Sequence, residues 1–135
     1  MTREMVKFLI GEHNMYEYNI VIQRWVDGDT VDVDIDLGFG VWLNDQRVRL
    51  AGINAPESRT RDLEEKKLGL AAKDFCKNFC KEGEYAKLVC KKYDSKGKFG
   101  RILGEIWSIT NYADKSLNEY LLDKGHATEY HGGKR

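Results

Sequence analysis

The stretch NIVIQRWVDGDTVDVDIDL, residues 19–37, decides the fold. Residues 19–26 are β-branched and aromatic, the composition of a strand. Residues 30–37 alternate strictly: Val31, Val33, Ile35 and Leu37 on one face, Asp32, Asp34 and Asp36 on the other. A period of two is a strand with one face buried and one facing water, so the three aspartates read as a solvated face. Between the two runs, Asp27-Gly28-Asp29 reads as a turn, with Gly28 supplying permissive backbone angles.

Working outward, Gly38-Phe39-Gly40 breaks the second strand. A third strand is predicted over 41–51, interrupted at Asn44-Asp45, with Arg47 and Arg49 on one face. Residues 52–57 form a loop stiffened by Pro56, the one proline of the chain. Leu68, Ala71, Ala72, Phe75, Cys76 and Phe79 recur at helical spacing and predict a helix over about 63–81 with that stripe buried. Strands are expected over 85–93 and 99–107, with a hairpin-like turn at 94–98. Ser116 and Glu119 have the spacing of a capping box, and Gly125 suits the stop of that second helix. Residues 1–17 fit either an added edge strand or a loose arm. The order β-β-β-α-β-β-α is that of a five-stranded OB-fold, a β-barrel with helices of the α+β class. A chain of 135 residues suits one domain.

Composition narrows the function classes. The 22 basic and 22 acidic residues cancel. That argues against strong non-specific duplex binding through a basic excess, while leaving room for a small basic site. The cysteines, Cys76, Cys80 and Cys90, lack CxxC spacing, which speaks against a disulfide framework or zinc ribbon; reduced, partly buried thiols are expected. The N-terminal apolar run is shorter than a signal-peptide core, and nothing approaches the ~20 apolar residues of a membrane span. The expectation is a soluble cytoplasmic protein, a monomer without a membrane or a stable protein partner. A phage- or plasmid-encoded setting would suit it.

Three short segments hold the chemistry: Asp27-Gly-Asp-Thr30, Arg49 through Glu57, and Lys98-Phe-Gly-Arg101. Each falls at a strand end or turn, where sites are grafted. Asp29 and Asn54 offer the oxygen donors that hard divalent cations prefer. Arg49 and Arg101 can neutralise a phosphodiester with bidentate forks, and Glu57 can take a proton from water. Metal-assisted phosphodiester hydrolysis uses every part. Taken singly, each segment also reads as an ordinary turn or strand.

In order and spacing these segments resemble the signature of the staphylococcal nuclease (thermonuclease) family, over about residues 19–128. SLNEYLLDKGHA resembles the family's second helix. The resemblance implies a nuclease that hydrolyses DNA, RNA or both with Ca²⁺, by water attack that leaves 3′-phosphate ends. It implies Asp29, Asn54 and the Ala55 carbonyl as metal ligands, with Glu57 as general base. Arg49 and Arg101 become the phosphate-binding arginines, and Lys98 and Phe99 line the nucleotide site. Two departures stand out. Asn54 replaces an aspartate, so one charge leaves the metal site and weaker Ca²⁺ binding follows. Phe99 replaces a tyrosine. A family tyrosine that stacks near the substrate is matched by either Tyr130 or His131. The competing expectation is a weakly active or inactive module of the same fold that binds nucleic acid or protein. Trp25, Trp42 and Trp107 are expected in packing rather than base stacking.

Overall fold

The computed structural model describes residues 2, 3, 5, 16–90, 101–109 and 114–131. Five strands close a barrel: β1 (Tyr16–Asp27), β2 (Thr30–Asp36), β3 (Trp42–Leu50), β5 (Tyr85–Cys90) and β6 (Ile102–Trp107). Around the barrel they run β1-β2-β3-β6-β5, and the β3–β6 pair is parallel. Two helices, α1 (Leu63–Phe79) and α2 (Leu117–Asp123), follow the third and fifth barrel strands. This is the α+β OB-type barrel expected from the sequence, with one addition. Two-residue strands β4 (Ile53–Asn54) and β7 (Thr128–Glu129) pair with each other outside the barrel. Strands this short give no periodic signal, so only the folded chain reveals them.

Strand alternation builds the core. Ile20, Ile22, Val31, Val33, Val48 and Leu88 are completely buried, and Trp25 joins them while its indole N–H donates to the Cys80 carbonyl at 2.9 Å. Burying that ring without its hydrogen bond would be costly. β1 starts at Tyr16, whose segment pairs with Cys90, Val89 and Leu88, so the arm is strand from that point. Leu37 departs from the alternation: it is exposed, because β2 ends at Asp36 and the chain enters a turn. Gly38, Phe39 and Gly40 all have positive φ there. The expected interruption of β3 appears as a register shift opposite Val33 and Ile35, with Asp45 at φ 56.

The aspartate face of β2 is partnered rather than merely solvated. Asp32 accepts from Arg47 and Arg24, each at 2.8 Å, and the Arg47 bond first, then Arg24, holds its carboxyl below the usual range. Asp34 accepts from Gln23 and from the Asp45 amide, and Asp36 from the Gly38 amide.

Helix α1 is capped by Asp62, whose side chain accepts from the Glu64 and Glu65 amides. Its buried face is Gly69, Ala72 and Cys76, with Phe75 and Phe79 half-buried. Leu68 and Ala71, expected inside, are exposed. The reason is close approach. A Cβ at Gly69 would sit 2.4 Å from the Glu57 carbonyl oxygen, and one at Gly28 would sit 2.7 Å from Ala72 Cβ. The helix turns its smallest residues inward, which moves the buried face off Leu68 and Ala71 and onto Gly69, Ala72 and Cys76. Gly28 is therefore required for space, since its φ is not positive.

Helix α2 follows its sequence signals. Ser116 Oγ accepts from the Glu119 amide at 3.2 Å, and Gly125 has φ 74. Inside it, buried Asn118 accepts from the Ile106 amide and donates to the Ala51 and Gly104 carbonyls. It ties α2 to the parallel β3–β6 seam, a role the sequence reading gave it no part in. All three cysteines are outside disulfides and buried, more completely than expected; burial pushes the Cys76 thiol up strongly and the Cys80 thiol up to about 11.

Candidate nuclease site

The hairpin register assembles the site. Thr30 pairs with Arg49, and the Leu50 amide donates to the Asp29 carbonyl at 2.8 Å. The turn before β2 and the end of β3 are thereby side by side. Gly52, at φ 80, then folds the chain back so that Ile53–Ser58 runs under the same turn. Two carboxylates hold that loop. Asp29 Oδ2 accepts from the Ala55 amide at 2.8 Å, and Asp27 Oδ1 accepts from the Ser58 amide at 3.1 Å and its hydroxyl at 2.5 Å. Sequence reasoning singled out Asp29 but assigned nothing to Asp27 or Ser58. Their pairing spans 31 positions, and no local spacing signals it.

Asp29 is 2% exposed and Arg49 is 7% exposed. Charges this deep persist only when paired. Arg49 Nη1 lies 3.2 Å from Asp29 Oδ2, Nη2 donates to Asn54 Oδ1, and the Tyr130 ring covers the guanidinium with 5.4 Å from Cζ to its centroid. Thr30 Oγ1 donates to the other Asp29 oxygen at 2.9 Å. Asp29, Arg49, Asn54 and Ala55, nominated from two separate stretches of chain, thus meet at one point.

Glu57 is exposed at the outer end of the loop. Its amide faces Glu65 Oε1 at 3.4 Å, and its carbonyl lies against Gly69. Arg101 is half-buried just before β6, where Ile102 pairs with Val48 and Leu103 with Arg49. Alternation places Arg101 on the side of the sheet that carries Leu103 and Arg49. Lys98 and Phe99 lie outside the described residues. Of the two aromatic candidates near the end of the chain, Tyr130 reaches the site. His131 is exposed, 3.6 Å from Glu129, and His126 packs on Phe75. Trp25 is core and Trp107 bonds Glu105, in keeping with packing roles, whereas Trp42 is exposed at the start of β3.

Among the described residues no three His, Cys, Asp or Glu side chains converge as metal ligands. The donor set at this point is one carboxylate, Asp29, and one amide oxygen, Asn54. Both address the same guanidinium. Hard oxygen donors suit a cation such as Ca²⁺, with one negative charge fewer than two carboxylates would give.

Residues 47–135 match the family described as staphylococcal nuclease homologue, a stretch that includes Arg49, Asn54, Glu57 and Arg101 but begins after Asp29. The thermonuclease of Staphylococcus intermedius is 31% identical over 109 residues, covering 79% of this chain. The chain belongs to the staphylococcal nuclease family. Endonuclease YhcR of Bacillus subtilis (strain 168) is 29% identical to this family member over 120 residues, 84% of the chain. The chain spans 56% of the thermonuclease and 9% of the endonuclease. No described helix is long and apolar enough to cross a membrane.

Proposed function

We propose that this protein is a Ca²⁺-dependent nuclease that hydrolyses phosphodiester bonds of DNA, RNA or both. The observation that carries the reading is the meeting of Asp29, Arg49 and Asn54 at the mouth of the loop that presents Glu57. The names of both relatives support the reaction class.

Asp29 and Asn54, with the Ala55 carbonyl, would hold the cation. When bound it would supply Lewis-acid stabilisation of charge on a phosphate oxygen. Arg49 and Arg101 bind the phosphodiester: their forks match two phosphate oxygens, and a guanidinium buried as Arg49 is interacts more strongly than one in water. Glu57 takes the proton of the attacking water from the solvent side, where its exposure gives water access. Lys98 and Phe99 contact the nucleotide.

The test is digestion of labelled single-stranded DNA and RNA across a series of Ca²⁺, Mg²⁺ and Mn²⁺, against EGTA and Glu57→Gln. Ca²⁺-dependent cleavage, lost in EGTA and lowered at least ~10²-fold by the substitution, is expected. Cleavage indifferent to both would refute the reading. The engagement of both donor oxygens by Arg49 favours a second reading, in which the same surface binds nucleic acid without cutting it. Retention of labelled strands with no product under any metal would select that one.

A further inference from the structure

After α2 the chain returns to the site. Thr128 and Glu129 pair with Asn54 and Ile53, and the next amide, that of Tyr130, donates to the Gly52 carbonyl at 2.8 Å. At the start of this segment the His126 ring packs on Phe75, with 5.0 Å between centroids. The segment is pinned at both ends, and the pinning fixes where the Tyr130 ring lies. It lies over the Arg49 guanidinium at 5.4 Å, inside the ~6 Å at which a ring face attracts a cation. Asp29 and Asn54 hold the terminal nitrogens of that group, and its Cζ stands over the face of the Tyr130 ring. A guanidinium held by two oxygens and a ring has little freedom to turn about its terminal bonds.

From this geometry we propose that Tyr130 is a positioning residue for Arg49, setting the plane in which the fork meets a phosphate. The proposal rests on Arg49 as a phosphate-binding arginine. Tyr130 acts through that guanidinium and needs no contact with substrate. The arrangement also links two ligand sites, because β4 carries Asn54 and is paired with the strand that anchors the ring. Bidentate recognition tolerates only about 10–20° of misalignment, so a loosened guanidinium loses productive orientations before it loses affinity.

The experiment compares the full chain with Tyr130→Leu and Tyr130→Phe by two readouts. The first is the Nε–Hε resonance of Arg49 in a ¹H–¹⁵N correlation spectrum, assigned by its disappearance in Arg49→Lys and needing no substrate. Tyr130→Leu removes the ring current and is expected to move and broaden that resonance, whereas Tyr130→Phe keeps it near the wild-type position. The second is steady-state cleavage of single-stranded DNA with Ca²⁺. Tyr130→Leu is expected to lower kcat roughly tenfold with KM changed less than about twofold, and the phenylalanine is expected to restore most of that loss. An unmoved Arg49 resonance in Tyr130→Leu overturns the proposal. So does a raised KM at constant kcat, which marks a ring that stacks on the substrate itself. Should Tyr130→Leu unfold, Tyr130→Met carries the same two readouts. A wild type that cleaves nothing removes the nuclease reading, while the resonance still decides whether Tyr130 orders Arg49.

Discussion

Replacing Asn118 by leucine tests how the barrel seam is held. Asn118 is 4% exposed, and leucine has a similar size, so the change removes hydrogen bonds with little loss of volume. Three bonds are at stake: 3.3 Å from the Ile106 amide, 2.9 Å to the Ala51 carbonyl and 3.2 Å to the Gly104 carbonyl. They do not weigh equally. The Gly104 carbonyl also accepts from the Ala51 amide at 2.9 Å and so keeps a partner. The cost therefore falls on the Ile106 amide and the Ala51 carbonyl, at about 1–2 kcal/mol for each buried group that loses its bond. The expected destabilisation is about 3 kcal/mol, or roughly 10 °C in Tm for a chain of this size. Urea unfolding followed by the emission of buried Trp25 measures it, with an unchanged m-value as the check on two-state behaviour. Asn118→Asp sharpens the test. It keeps the acceptor for Ile106 but turns a buried carboxylate toward two carbonyls. It should be less stable than the leucine variant at pH 7 and gain on it as pH falls and the carboxyl protonates. A loss below ~0.5 kcal/mol for Asn118→Leu would show that the seam is held by strand pairing alone, and the reasoning would fail.

Other consequences can be checked independently. Gly69→Ala drives a methyl into the Glu57 carbonyl; overpacking of about 1–3 kcal/mol should exceed the ~1 kcal/mol gained in helix propensity, and the Ser58 amide should exchange faster with deuterium. Asp32, held low first by Arg47 and then by Arg24, contributes stability that is complete above its ordinary value of 3.8 and is lost as pH falls below it. Acid titrations of stability should show that loss in wild type, reduced in Arg47→Met and weakened by added salt. Cys80, raised to about 11, and Cys76, raised further, should resist a disulfide reagent at pH 8 until denaturant is added; rapid native labelling would contradict their burial.

Much of the proposed site was legible because the residues assigned to phosphate and metal sit next to sharp local signals. Asp29 ends a turn between two strands, Arg49 ends a third, and Glu57 follows the single proline. The strand periods placed them near one another once the order matched an OB barrel. What local spacing could not give was the set of contacts between distant stretches: Asp27 with Ser58, Asn118 with the seam, Tyr130 with Arg49. The apolar stripe of α1 held at Ala72, Phe75, Cys76 and Phe79 but misled at Leu68 and Ala71 for a related reason. Hydrophobicity predicts a buried face only where the neighbour leaves room for side chains, and here the Glu57 backbone leaves room for none.

The sequence by itself determined the alternation of β2, the turns on either side of it, the caps of α2 and hence the barrel order, because each depends on residues within a few positions of one another. Only the tertiary structure decided which face of α1 turns inward, that the end of the chain returns to pair with Asn54, and that Arg49 lies between two oxygens and an aromatic ring. Those outcomes depend on how closely backbones can approach and where buried charges find partners, quantities that exist only once the chain has closed on itself.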